Sequence, residues 1–258
     1  LMLVKKYAFD LELLSIAASR GAKIGEAPVS VYSDAILATA DNTVALVVLS
    51  RDNSEAADYN PNMVSSDAAD SFVRPLALSA NEQAMIALAK EHSTKVVVLI
   101  NADNPIEIEE LKNDDDIEAI LWCGAPGMNG FLGVADVLTG AVNPSGHISD
   151  TYAVRSDSAP AMVNFGVYLY TNNSKTGTGD VLSEDAKGDW YIVESEGIYT
   201  GYKYYETRYE DLILGQGNAA DGAGATGDSW NWDDEVSYSF GYGLSSSTFE
   251  QKHRNRNL

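Results

Sequence analysis

The sequence contains one cysteine, three histidines and seven prolines in 258 residues, and these shortages exclude several kinds of protein. A single thiol, Cys123, forms neither a disulfide framework nor a thiolate zinc cluster, so the fold has to rest on a buried apolar core. Cys123 follows an apolar run and reads as a buried, inert thiol. No apolar stretch approaches the roughly 18 to 20 residues that a membrane helix needs, so no membrane insertion is expected in this segment. The opening "LMLVKKYAFDLELL" is too charged, and its apolar part too short, for a signal peptide. Any export signal is therefore expected outside the chain, and a cytoplasmic location is favoured over a secreted one. Basic residues are also scarce: 17 Lys and Arg stand against 38 Asp and Glu, a net charge of −21. Such an exterior repels phosphate backbones and anionic lipid surfaces, which argues against nucleic acid as a partner and favours neutral or cationic ligands. A phosphate loop of the G-x-x-x-x-G-K type is missing, which ranks a nucleotide-binding module last among the candidate functions.

What is present is 45% hydrophobic residues, enough for one large core or two smaller ones. Apolar runs of strand length alternate with amphipathic segments: "VALVVLS", "LALSANEQAMIALAKEH", "KVVVLIN", "IEELKNDDD" and "IEAILWC". The runs are continuous Val, Ile and Leu, as in parallel strands covered on both faces. The expected fold class is therefore α/β, a mainly parallel sheet flanked by helices on both faces, with long irregular loops in the last third. Ser79 precedes Glu82 by three positions, the capping-box spacing, and Met85, Ile86, Leu88 and Ala89 follow with helical periodicity. Another helix is expected over about 130–138, stopped by Gly140 and the Asn143-Pro144 turn. The whole reads as a single α/β-sandwich domain, with a lead-in over 1–40, a βαβ core over 41–153, a loop-rich remainder over 154–250 and a basic tail over 251–258.

Ligands of open parallel sheets collect at the carboxyl ends of the strands, and "SRDNSEAADYN" directly follows the run "VALVVLS". Arg51 is placed to orient a polar ligand, Glu55 to donate or accept a proton, and Asp58 to hold the loop or meet a hydroxyl. The same composition also suits a solvated turn with one ion pair. Elsewhere the bland readings prevail. His147 is expected as a hydrogen-bonded turn residue, His92 as a helix-end cation, Trp122 as core, and Trp190, Trp230 and Trp232 as pins for the polar loops. Asp114, Asp115 and Asp116 lack the alternating spacing of a calcium loop and read as a solvated turn. No metal and no cofactor are expected.

Six stretches, "RDNSEAAD", "LALSANEQAMIALAKEHSTKVVVLINADNPIEIEEL", "IEAILWCGAPGMNG", "GVADVLTGAVNPSGHISDTYA", "EGIYTGYKYYETRYED" and "VSYSFGYGLSSSTFE", occur in an order that resembles the α/β-sandwich domain of glycoside hydrolase family 3, the β-glucosidase family. The resemblance runs from about residue 41 to 250, and the "NPSG" and "FGYGLS" motifs in combination carry most of its specificity. It implies a retaining glycosidase in which a (β/α)8 barrel carries the nucleophilic aspartate. The sandwich then supplies the acid/base glutamate for hydrolysis of a carbohydrate ending in β-linked glucose or a related sugar. The family loop R-x-S-G-E-G-x-D puts Glu55 on the acid/base position, with Arg51 and Asp58 as its substrate-binding flanks. Two departures stand out. Asn53-Ser54 replaces Ser-Gly and Ala56 replaces the following Gly, which removes freedom at positive φ; and "APGMNG" puts Asn129 where a carboxylate is usual. The barrel and its Ser-Asp-Trp motif are absent from this chain, which therefore reads as one domain of a larger enzyme, inactive when isolated. The alternative is a non-catalytic carbohydrate-binding or structural sandwich.

Overall fold

Among the described residues, five strands form one sheet in the order β2-β1-β3-β4-β5, every neighbouring pair parallel. The computed structural model describes residues 2–5, 25–28, 44–51, 73–165, 168–169, 190–219, 230–245 and 247. The strands are β1 (Met2–Lys5), β2 (Gly25–Pro28), β3 (Val44–Ser50), β4 (Lys95–Asn101) and β5 (Ile117–Trp122). The runs "VALVVLS", "KVVVLIN" and "IEAILW" are thus parallel neighbours, as their composition requires. β3 and β4 pair without a slip from Val44↔Lys95 to Ser50↔Asn101.

Burial on both faces explains the unbroken apolar runs. Ala45, Val47 and Leu49 lie with Val96, Val98 and Ile100 on one face, packed with Met85, Ile86 and Ala89 of helix α1 (Ala80–His92). Leu46, Val48 and Leu99 occupy the other face, against Phe131, Val134 and Ala135 of helix α3 (Gly127–Leu138). With a helix over each face, a strand has no solvent side on which a polar residue would be cheap.

Helix α1 starts where the capping box predicts: the Ser79 hydroxyl accepts from the Glu82 amide at 3.3 Å, and the Glu82 carboxylate accepts from the Ser79 amide at 2.8 Å. The segment "IEELKNDDD" condenses to the single turn α2 (Glu109–Lys112). Its chain then turns back, with the Asp114 carboxylate accepting from the Asp116 amide at 3.0 Å, while Lys90 reaches Asp114 at 2.6 Å and Asp116 at 3.1 Å. The acidic run is a turn braced by a lysine.

Two features go beyond the sequence pattern. The first 40 residues, read above as a lead-in, provide β1 and β2, and β1 pairs with β3 from Met2↔Ala45 to Val4↔Val47. The resulting 2-1-3-4-5 order is doubly wound, with its switch point between β1 and β3. In the last third, the helix Tyr202–Leu214 contributes Tyr204 and Tyr205 to a separate core with Ala153, Ala219, Trp230 and Val236. Trp230 is buried and meets Trp232 edge-on at 6.5 Å between ring centroids, and Tyr209 meets Trp232 at 5.1 Å. Both indoles pin this region, as expected; the side chain of Trp190 lies outside the described residues.

Candidate functional site

The carboxyl edge of the sheet is built by chain that continues the strand ladder past its ends. The Arg51 amide donates to the Asn101 carbonyl at 3.3 Å, and the Cys123 amide donates to the Ile100 carbonyl at 3.0 Å. The Asn101 side chain donates to the Ser50 hydroxyl at 3.3 Å, and the Trp122 indole N–H to the Ala102 carbonyl at 2.8 Å. Trp122 is half-buried and packs on the apolar core, as expected.

Of the three residues predicted for the site, Arg51 is described, while Glu55 and Asp58 lie outside the described residues, as do Asn53, Ser54 and Ala56. Arg51 turns into the protein, its side chain 11% exposed. Its Nε donates to Glu82 Oε1 at 2.9 Å and its Nη2 to Glu82 Oε2 at 2.6 Å. The remaining bonds go to backbone: Nη1 to the Pro75 carbonyl at 2.9 Å and Nη2 to the Ala77 carbonyl at 2.7 Å. A guanidinium carries five N–H donors, and four of them meet partners among the described residues.

A second pair, of a half-buried arginine and a buried glutamate, stands beside the first. Arg74 Nε and Nη2 donate to the two oxygens of Glu107 at 2.8 and 2.5 Å. Glu107 Oε1 also accepts from the Ser156 amide at 2.8 Å and the Ser156 hydroxyl at 2.7 Å. The hydrogen bonds that Arg74 donates to Glu107 hold the Arg74 pKa above its ordinary value, against the effect of burial. Neither pair was legible in the sequence. The capping box marks Glu82, yet nothing local links it to an arginine 31 positions earlier.

Cys123 is half-buried at the end of β5, its thiol donating to the Ile100 carbonyl at 3.3 Å, and burial pushes its pKa up to about 12. A thiol held this high is protonated at neutral pH. Asn129 is exposed in the first turn of α3, and His147 is exposed in the turn after "NPSG". Among the described residues, no group of three or more His, Cys, Asp or Glu side chains converges as a metal site. No described helix is long and apolar enough to cross a membrane. The described part of this edge is thus a frame whose charges are already paired.

Residues 17–246 match the family model described as the glycosyl hydrolase family 3 C-terminal domain. "Beta-glucosidase A" of Butyrivibrio fibrisolvens is 32% identical over 172 residues, which take in 67% of this chain and 16% of that protein. "Probable beta-glucosidase A" of Aspergillus clavatus is 29% identical over 199 residues, 74% of this chain and 18% of that protein. The chain therefore spans less than a fifth of the length of these two relatives. Among solved structures, a beta-glucosidase from Paenibacillus barengoltzii superposes with a TM-score of 0.55 at 25% identity, over 84% of this chain and 18% of that one. A Chaetomium thermophilum beta-glucosidase, at 20% identity, shares the fold with a TM-score of 0.59 over 96% of this chain and 25% of that one.

Proposed function

The chain belongs to the glycosyl hydrolase family 3 C-terminal domain family, and from that premise we propose that it is the non-barrel domain of a retaining β-glycosidase, with Glu55 as its general acid/base. The substrate class is a carbohydrate ending in β-linked glucose or a related sugar, in keeping with the relatives named as beta-glucosidases. The observation that carries the reading is the position of Arg51, the first residue of the family loop. It lies where β3 leaves the carboxyl edge, beside the switch point with β1, and Glu55 follows four residues later in the chain.

Retaining hydrolysis needs two carboxyl groups about 5 to 5.5 Å apart, one attacking the anomeric carbon and one protonating the departing oxygen. On this reading the nucleophilic aspartate comes from a (β/α)8 barrel of the same enzyme. Glu55 is the second carboxyl, an acid in the first step and a base toward water in the second. Asp58 binds a substrate hydroxyl, and Arg51 flanks the substrate from the start of the loop.

The test is Glu55→Gln in the full-length protein. An oligosaccharide substrate, whose leaving group needs protonation, should lose roughly 10² to 10⁴-fold in kcat/KM. An aryl glycoside that departs as a stable phenolate should lose less, and added azide should restore turnover of the glycosyl-enzyme because the anion needs no base. Wild-type behaviour on both substrates would leave the domain with a binding or structural role.

A further inference from the structure

We infer that Arg51 and Arg74 are positioning residues: two guanidinium–carboxylate clamps that hold residues 73–79 against the carboxyl edge of the sheet, and so fix where the chain re-enters after the segment 52–72. The inference rests on the reading of Glu55 above for its catalytic consequence, though not for its structural content.

Three consecutive carbonyls carry the argument. Those of Pro75 and Ala77 accept from Arg51 Nη1 and Nη2 at 2.9 and 2.7 Å, and that of Leu76, between them, accepts from the Glu107 amide at 2.8 Å. Arg51 leaves β3 directly, so one side chain ties the departing chain to residues 24 and 26 positions later. The clamp is anchored at its far side as well. Glu82 is held by the capping box at the start of α1, and Glu107 by both the amide and the hydroxyl of Ser156. The re-entry point is therefore registered to the sheet, to a helix and to the following layer at once.

Stability alone is a poor reason for such a device. The carboxylates of the two pairs are only 3% and 8% exposed, and burying ions costs about as much as their attraction returns, so that apolar replacements of a whole pair are often neutral. What a planar, forked guanidinium adds is directionality: it meets a carboxylate and two carbonyls at fixed angles, which an ammonium or a hydrocarbon does not. Acid/base chemistry is sensitive to this, because a misplacement of about 1 Å costs on the order of 10²-fold in rate.

The experiment uses the full-length protein with Arg51→Met and Arg51→Lys, read by amide exchange over residues 73–79 and by kcat and KM on a β-linked gluco-oligosaccharide, whose leaving group needs protonation. In a protein that still unfolds cooperatively, Arg51→Met should exchange faster over 73–79 and lose about 10²-fold in kcat with KM little changed. Arg51→Lys, which keeps the charge but not the fork, should fall between, and it replaces Met if that variant does not fold. Unchanged exchange over 73–79 overturns the clamp. Faster exchange with wild-type kcat upholds the clamp and overturns its catalytic consequence. Glu55→Gln, measured alongside, then shows whether Glu55 itself is the acid/base.

Discussion

Gly243 approaches Gly146 so closely that a Cβ built on it would lie 2.3 Å from the Gly146 carbonyl oxygen and 3.0 Å from the His147 ring. This contact joins the "NPSG" and "FGYGLS" turns. They are also tied by the Ile148 amide donating to the Tyr242 carbonyl, the Gly241 amide to the Ile148 carbonyl, both at 2.9 Å, and the Asn143 side chain to the Ser245 hydroxyl at 2.7 Å. The obstacle is backbone, which cannot swing aside as a side chain would. Gly243→Ala should therefore lower stability by about 1 to 3 kcal/mol, the range for overpacking, read as a lower denaturation midpoint at unchanged m-value. Gly133, within helix α3 and with nothing inside 4 Å of a built Cβ, is the counter-case. Gly133→Ala should raise stability by about 0.5 to 1 kcal/mol through helix propensity.

Glu82 serves the helix cap and the Arg51 clamp together, and mutagenesis separates the two roles. Ser79→Ala removes only the cap and should cost about 1 kcal/mol. Glu82→Ala also leaves a nearly buried guanidinium without its counter-ion and should cost about 3 to 5 kcal/mol. Because the cap hydrogen bonds are shared, the double variant should cost less than the sum in equilibrium denaturation.

Two aspartates carry opposite pH signatures. Burial raises the pKa of Asp150, outweighing the Thr151 amide that donates to it at 2.8 Å. Its folded pKa thus lies above the unfolded value of about 3.9. The ionised form burdens the fold at neutral pH and costs nothing once both states are protonated. Asp150→Asn, which keeps an acceptor for the Thr151 amide, should stabilise the protein at pH 7 and not at about pH 3.

For Asp211, burial pushes the same way but is overcome by the Ala219 amide and by the amide and side chain of Asn218, each donating at 2.8 Å, so its pKa is lowered. Its contribution is complete above about pH 4 and disappears as pH falls through the lower folded value. Asp211→Ala should therefore destabilise at pH 7, and the difference from wild type should close on acidification.

Cys123 should not react with a thiol-directed disulfide reagent in the native state at pH 8, since a thiol pushed up to about 12 has almost no thiolate there. In denaturant it should react at the rate of an ordinary cysteine. Rapid native labelling would show that the end of β5 opens more readily than its backbone hydrogen bond to Ile100 implies.

The central sheet and its two covering helices were legible in the residues because they depend on local pattern. "VALVVLS" and "KVVVLIN" are apolar at every step that faces a helix, and Ser79 with Glu82 marks a helix start within four residues. The position of the candidate loop at a strand end was legible for the same reason. β1 and β2 were not, since four residues each carry no readable period, and the pairing of β1 with β3 and of β2 with β1 is decided by what the rest of the sheet leaves open. Nor was the partner of Arg51. A fork of donors in the sequence announces that it will bind carboxylate or carbonyl, while which ones it meets depends on chain 24 to 31 residues away being folded beside it. Residue types and short spacings determined the elements, because those act within a turn or a strand; only the tertiary structure decided which charges meet at the sheet's edge, because buried ions take whatever partners the packing of distant segments brings within reach.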